Sequence, residues 1–374
     1  MQDSAQFGDC VQKLLNDFKL YDKAVDIVSC WQFLFTEVEQ YSKNVLLFDR
    51  FPRLSSPSTP KDQPKTPDFA VLLSDEYGIV ADIKSGFPLD DKGFLSHAGR
   101  LLKYDLPLSF KTGVDSRSVI PSDHDILLVI PMRDAQEIVR RIEKFRAAGD
   151  LRIDRNLIAF EWVWDSDQNE YVFRKVAGQT CDFRDASLPA NIRLSSIFTE
   201  RGASLKVSPD KIKSIKAAWQ FCNDTPPPIY TLVFLWTKVF YHLLDAGQRQ
   251  LWRRRDPRKV LWIEVSTERL VEEIVRRYPI RWGHWTDWAR AALDVLVSAG
   301  LARKIAEDKY TVGYRNLVRE LGEPTHGATG TEVTSHPREY ARILATYICR
   351  ATGGELTQEA PATDERSQGE LFRR

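Results

Sequence analysis

The sequence predicts an α/β domain followed by a mostly α-helical one, and three observations carry that expectation. Between residues 27 and 176 an amphipathic helix is followed by short apolar runs, turn residues and further helical stretches. One of those runs, Ile126 to Ile130 (ILLVI), is continuously apolar, as in a strand buried on both faces. Beyond Ile229 the pattern turns helical, with one short strand and one small hairpin. A chain of 374 residues is long enough for two domains with sizeable cores.

In chain order, Gln6 to about Phe51 reads as helix, with Ile27, Trp31, Leu34, Val38 and Tyr41 recurring at spacings of three and four as one buried stripe. Residues 52–67, rich in Pro, Ser and Lys, read as an irregular loop. Phe69–Leu73 and Ile79–Lys84 read as a hairpin around Ser74-Asp75-Glu76-Tyr77-Gly78. A helix is expected over Leu95–Tyr104, a buried strand over Ile126–Ile130, and a helix over Ala135–Ala147 capped by Asp134. Leu157–Trp164 and Tyr171–Val176 form a second hairpin. The predicted domains are therefore 1–180, a connector over 181–225, a helical domain over 226–322, and a final helix with a polar tail over 323–374. Within the helical domain the elements are a helix over Ile229–Leu244, a strand over Val260–Val265, a helix over Thr267–Tyr278 capped by Ser266, a helix over Trp285–Ala299 ended by Gly300, and a hairpin around Glu307-Asp308.

Composition excludes some classes. No apolar run approaches the ~18 residues of a membrane span, and the opening residues lack a basic segment followed by an apolar one. The five cysteines lie far apart and none forms C-x-x-C, so neither a zinc knuckle nor a disulfide framework is expected, and a reducing cytoplasm is. No G-x-x-x-x-G-K-[ST] is present, so the chain is not expected to be an ATP-driven motor.

The residues with most chemical content are Thr66-Pro67-Asp68 and Asp82-Ile83-Lys84. Asp82 and Lys84, two apart on a strand, leave the same face, and the hairpin brings Asp68 alongside. Two carboxylates forced together are costly to bury unless a cation joins them, and Mg²⁺ (or Mn²⁺) suits two carboxylates completed by water and a phosphate oxygen. The alternative is a surface hairpin on which Asp82 and Lys84 form a solvated pair.

Pro67-Asp68 and Asp82-Ile83-Lys84, separated by a hairpin, resemble the PD-(D/E)xK nuclease superfamily, the restriction-endonuclease-like fold with a mixed sheet flanked by helices. The resemblance covers about residues 25–176. It implies Mg²⁺-dependent hydrolysis of DNA phosphodiesters, with Asp68, Asp82 and the Ile83 carbonyl as metal ligands and Lys84 positioning the attacking water. Members carry an acid on the preceding helix; at 100° per residue Glu37 lies roughly 80° from the centre of the apolar stripe and Glu39 roughly 120°, so the role goes to Glu37. They often carry a Gln or basic residue on the following helix. In LSHAGRLLKYD that is Arg100, four residues before Tyr104, with Lys103 as a second candidate.

The segment WIEVSTERLVEEIVRRYP followed by HWTDWARAALDVLVSAGLARKIAEDKYTV resembles a winged helix-turn-helix. From Arg249 to Arg281 ten basic residues face five acidic ones in a chain of net charge +1. Arg253, Arg254 and Arg255, with Trp252 and Trp262 nearby, are candidates for gripping phosphates and stacking on bases; the alternative is pairing of the arginines with Glu268, Glu272 and Glu273, with the tryptophans in the core. Gln368, Leu371 and Phe372 near the end resemble the short peptide by which bacterial DNA-processing proteins dock on the sliding clamp. The expected function is a metal-dependent nuclease in genome defence, mobile-element or repair processes. The alternative is a catalytically inactive nuclease-like DNA-binding or adaptor subunit of a larger complex.

Overall fold

Contacts divide the described residues of the computed structural model into two units, one over Ala24–Asp224 and a second made of the residues up to Lys23 together with those from 225 to 353. The structure describes residues 2–57, 64–74, 76–112, 117–179, 181–186, 188–198, 204–218, 220–253, 260–278, 285–315, 317 and 337–353.

The first unit contains the second part of α1 (Gln2–Thr36), then α2 (Glu39–Ser42), β1 (Leu47–Asp49), β2 (Phe69–Ser74) and β3 (Tyr77–Ile83). Helix α3 (Asp91–Gly99) continues into a 3₁₀ turn, Arg100–Tyr104, and is followed by β4 (Phe110–Thr112), β5 (Arg117–Val119), β6 (Asp123–Pro131) and α4 (Met132–Ala148). The unit closes with β7 (Leu157–Asp165), β8 (Glu170–Lys175), α5 (Leu194–Phe198), β9 (Leu205–Val207) and α6 (Pro209–Ala218). Seven strands form one mixed sheet in the order β1-β2-β3-β6-β7-β8-β9. The central β3, β6 and β7 are parallel and the flanking pairs antiparallel, while β4 and β5 form a ribbon of their own. This is the α/β architecture expected.

Both faces of the sheet are covered, which is why β6 reads as an unbroken apolar run. On one face Trp31 of α1 packs its ring against Phe69, Phe160 and Phe173, at centroid distances of 6.1, 5.3 and 5.5 Å. On the other, Phe94, Ala98, Leu101 and Tyr104 join Ile138, Ile142 and Phe145 of α4 over Ala70, Leu72, Val80, Ile126, Leu128 and Ile130.

Several expectations change. The predicted helix to Phe51 ends at Thr36, and Leu47–Asp49 pairs with β2 as an edge strand. The helix expected from Leu95 starts earlier, at Asp91, where Asp90 caps it by accepting from the Gly93 N–H at 2.7 Å. Helix α4 starts at Met132 after Pro131, so Asp134 sits in its first turn rather than capping it. The expected connector over 181–225 belongs to the sheet unit: Asp125 accepts from the Arg184 N–H at 2.9 Å, and β9 extends the sheet beyond β8.

The second unit comprises α7 (Pro228–Phe234), a π-helical turn over Leu235–Val239, α8 (Phe240–Leu243) and α9 (Ala246–Arg253), then β10 (Leu261–Ser266), α10 (Thr267–Arg277), α11 (Trp285–Ser298), β11 (Ala302–Ala306), β12 (Lys309–Tyr314) and α12 (Pro337–Ala351). The single helix expected over Ile229–Leu244 is thus interrupted by the π turn. Ser266 caps α10 by accepting from Arg269 N–H at 3.1 Å, and Gly300, at φ +68°, ends the run after α11. The three strands form an antiparallel sheet in the order β10-β12-β11. Phe18 and Tyr21, from the first part of α1, pack on Tyr230 of α7. Cys10 and Cys349 form a single disulfide between α1 and α12, which the wide spacing of the cysteines gave no sign of. No described helix is long and apolar enough to cross a membrane.

Candidate functional site

The hairpin β2–β3 places Asp68 just before one strand and Asp82 and Lys84 at the end of the other, on the face shared with Ala70, Leu72 and Val80. This is the carboxyl end of the parallel strands, where open α/β sheets bind ligands. Lys84 Nζ lies 2.7 Å from Asp82 Oδ2. The side chains of Lys84 and Asp82 are only 9% and 5% exposed, so the pair is buried and the solvated surface pair is excluded. At 2.7 Å the ammonium both pairs with and donates to the buried Asp82 Oδ2. Tyr104 donates to Asp82 Oδ1 at 3.3 Å and is equally near the Thr66 carbonyl. Asp68 Oδ2 accepts from the Ile83 N–H at 2.5 Å, while the Lys84 N–H donates to the Val129 carbonyl. Neighbouring peptide groups of a strand point to opposite sides, so the Ile83 carbonyl, like its N–H, is directed toward the Asp68 side.

A third carboxylate comes from a distant part of the sequence. Asn223 Nδ2 donates to the Pro67 carbonyl at 2.8 Å across 156 residues, anchoring the segment that carries Asp224. Burial raises the Asp68 carboxyl well above its ordinary range, and the charges of Asp224 and Asp82 push it the same way. Burial also raises Asp224, reinforced by Asp82 against the opposing pull of Lys84 and Lys103. For Asp82 burial pushes upward, but Lys84 and then Lys103 outweigh it and hold the carboxyl below its usual value. Lys84 is the converse: burial pushes it down, and Asp82 and Asp68 more than reverse that. Burial lowers Lys103, whose Nζ lies 4.6 Å from the centre of the Tyr104 ring. Asp68, Asp82 and Lys84 are thus buried together, with half-buried Asp224 and Lys103 acting on them through charge.

Asp68, Asp82, Lys84 and the Ile83 backbone come together as expected. Glu37 does not join them: α1 covers the opposite face of the sheet, and Glu37 is exposed in the turn after it, its N–H bonded to the Phe33 carbonyl. The cations acting on Asp82 and Asp224 are Lys84 and Lys103. Arg100 is half-buried at the start of the 3₁₀ turn, and Lys103, the second candidate, lies three residues further along it. Asp224 was missed because the local phrase Asn223-Asp224-Thr225-Pro226 reads only as a turn. Among the described residues no three His, Cys, Asp or Glu side chains form a group able to hold a metal by themselves. The oxygen donors on offer are thus the Asp68 and Asp82 carboxylates and the Ile83 carbonyl, a hard set that suits a cation retaining several waters.

In the second unit, Trp252 stacks on Tyr314 at 4.4 Å between ring centroids, so it is a packing residue. Arg276 and Arg277 pair with Glu273, as in the alternative reading of the basic segment. Arg253 ends α9; Arg254 and Arg255 lie outside the described residues, as do Gln368, Leu371 and Phe372. No family model matches the sequence, and no curated protein or solved structure matches it either.

Proposed function

We propose that the chain is a metal-dependent nuclease hydrolysing phosphodiester bonds in DNA, with its site at Asp68, Asp82, Ile83 and Lys84. The observation that carries this reading is the buried convergence of Asp68 with the Asp82–Lys84 pair at the end of the β2–β3 hairpin. Two buried carboxylates, Asp68 and Asp82, against the one buried ammonium of Lys84 are unfavourable unless a cation offsets them. Asp68, Asp82 and the Ile83 carbonyl would hold Mg²⁺ or Mn²⁺, which when bound would polarise the scissile phosphate and neutralise its charge. The residues then divide the remaining work. Tyr104 fixes the Asp82 carboxylate, and the Ile83 N–H fixes that of Asp68. Lys84 orients the attacking water and meets the negative charge that develops on the phosphoryl oxygens. Lys103 and Asp224 set the field in which Lys84 and Asp82 stay charged.

The order β10, α10, α11, β11, β12 supports a winged-helix reading of the second unit, and the proposed DNA contacts there are Arg253, Arg254 and Arg255. The sliding clamp, through Gln368, Leu371 and Phe372, and partner subunits of a defence or mobile-element complex remain proposed partners. One observation favours the inactive DNA-binding or adaptor reading: Lys84, 2.7 Å from Asp82, is placed to neutralise that carboxylate itself.

Incubating the chain with single- and double-stranded DNA in Mg²⁺, Mn²⁺ or EDTA decides between them. Cleavage that requires the metal and vanishes in Asp82→Asn is expected. DNA binding without cleavage in any metal would leave the adaptor reading.

A further inference from the structure

The three-stranded sheet of the second unit has an outer face of unusual composition. Inward, Leu261, Ile263, Val265, Tyr310, Val312 and Tyr314 are buried. Outward, the alternation puts Trp262 opposite Gly313. The indole is 49% exposed, although a buried face was available on the same strand. A Cβ at Gly313 would meet two atoms of the indole ring at 3.4 Å and Val260 Cγ1 more tightly at 3.2 Å, so the ring lies close over the Gly313 backbone beside Val260. Arg303, on β11, holds its guanidinium carbon 5.6 Å from the centre of that ring.

The charges around the ring decide what it can receive. On this face Arg303 and Lys309 are exposed and make no ion pair among the described residues; Glu264 is exposed beside them, and Glu307 stands exposed in the β11–β12 turn. Asp308, at the tip of the hairpin, is already held by Arg290 Nη2 at 3.1 Å. A lone flat aromatic among cations is a poor seat for an apolar protein surface, which needs a contiguous patch of several hundred Å². It matches a ligand with planar aromatic faces and regularly spaced negative charge. Stacking on the indole is indifferent to base identity, and the guanidinium needs only a modest rotation to leave the ring for a phosphate. A duplex buries its base faces within the stack, so they are available only in a single strand.

We propose that this outer face binds single-stranded nucleic acid, with Trp262 stacking on a base and Arg303 and Lys309 contacting the backbone. The inference rests on the nucleic-acid reading of the chain, but not on catalysis, and the two fail separately. The test is binding of a fluorescently labelled oligothymidylate to the full chain in EDTA, read by anisotropy, with a duplex of equal length as control. Trp262→Ala should weaken oligothymidylate binding by about five- to a hundredfold, the range of one base–aromatic stack. Trp262→Phe should recover part of it, and the duplex affinity should stay within about twofold of wild type. Arg303→Ala should lower the slope of log affinity against log salt by about 0.7, one single-strand phosphate contact. Unchanged oligothymidylate binding in Trp262→Ala, with the variant folded as judged by its melting temperature, overturns the proposal. So does an equal loss on the duplex, or a wild-type chain that binds no single strand. A chain that loses oligothymidylate with Trp262 yet cuts nothing in Mg²⁺ or Mn²⁺ upholds the platform while removing the nuclease.

Discussion

Lys84 shows how burial changes what a substitution means. The Asp-x-Lys spacing was legible because a strand's period of two puts both side chains on one face, but the sequence could not say whether that face meets water. It does not, so Lys84→Ala should act twice. Cleavage should fall by at least ~10²-fold, the typical loss of one electrostatic donor in the transition state. Stability should fall by about 3–5 kcal/mol, because Asp82 is left buried and unpaired. The double variant Asp82→Asn, Lys84→Met should regain most of the stability and none of the activity. Denaturant unfolding beside single-turnover cleavage separates the two effects, and a single variant as stable as wild type would contradict the burial of the pair. Asp224→Asn should raise the Mg²⁺ concentration needed for half-maximal cleavage by about 10–100-fold, as loss of a supporting charge around ligands does, with less effect at saturating metal. Asp125 carries a different prediction. Burial lifts its carboxyl to about 6, against hydrogen bonds from the Arg184 N–H, Tyr77 and Asn156 that pull it down. Its proton is bound more tightly in the folded state, so this group makes the protein less stable as pH rises from about 4 to about 6 and adds no slope above that. In Asp125→Asn the fall across that window should shrink, as read by unfolding midpoints at closely spaced pH values.

At the scale of elements, the features that carry their own signal were the ones the sequence revealed. The β2–β3 hairpin is marked by its turn residues, β6 by its unbroken apolar run, and α10 by the serine before it. Replacing that cap tests the reading: Ser266→Ala should cost about 1 kcal/mol, since the Arg269 N–H loses its acceptor, while Ser266→Asp should hold or improve stability. Thermal unfolding of the variants measures this, and an unchanged midpoint in Ser266→Ala would assign the start of α10 to packing alone. What stayed hidden were elements defined by their neighbours. β1 and β9 are three residues each, too short for periodicity, and exist because β2 and β8 offer unpaired edges. The π turn between α7 and α8 has no signature in an apolar stretch that reads as uninterrupted helix. Glu37 illustrates the same limit: its angle on the helix was computable, but the sheet face that α1 covers was not, and that face decided its fate.

For the whole molecule, the chain's path explains what linear reading could not supply. The domain boundary was expected near residue 180, where apolar patterning fades, yet contacts keep the chain in the sheet unit until Asp224. That extension delivers the third carboxylate, so one misplaced boundary accounts for one missed site residue. The first 23 residues were invisible as part of another unit because α1 passes between the units without a break in its pattern. Their attachment is covalent as well as packed: Cys10 and Cys349 are joined across 339 residues, and both are buried. Such a bond is commonest in oxidising compartments, though some intracellular proteins carry disulfides. Its contribution should be large, because closing a loop of that length restricts the unfolded chain; the chain-entropy relation gives roughly 5–6 kcal/mol, and measured disulfides more often give about 2–4. Cys10→Ser should therefore lower the melting temperature of the second unit by several degrees, and a reducing agent should do the same to the wild type while leaving Cys10→Ser unmoved. The transition of the sheet unit should shift far less, since neither cysteine belongs to it. If reductant and Cys10→Ser both leave the second unit's melting unchanged, the bond does not stabilise that unit, and packing of Phe18 and Tyr21 on Tyr230 alone secures the start of α1.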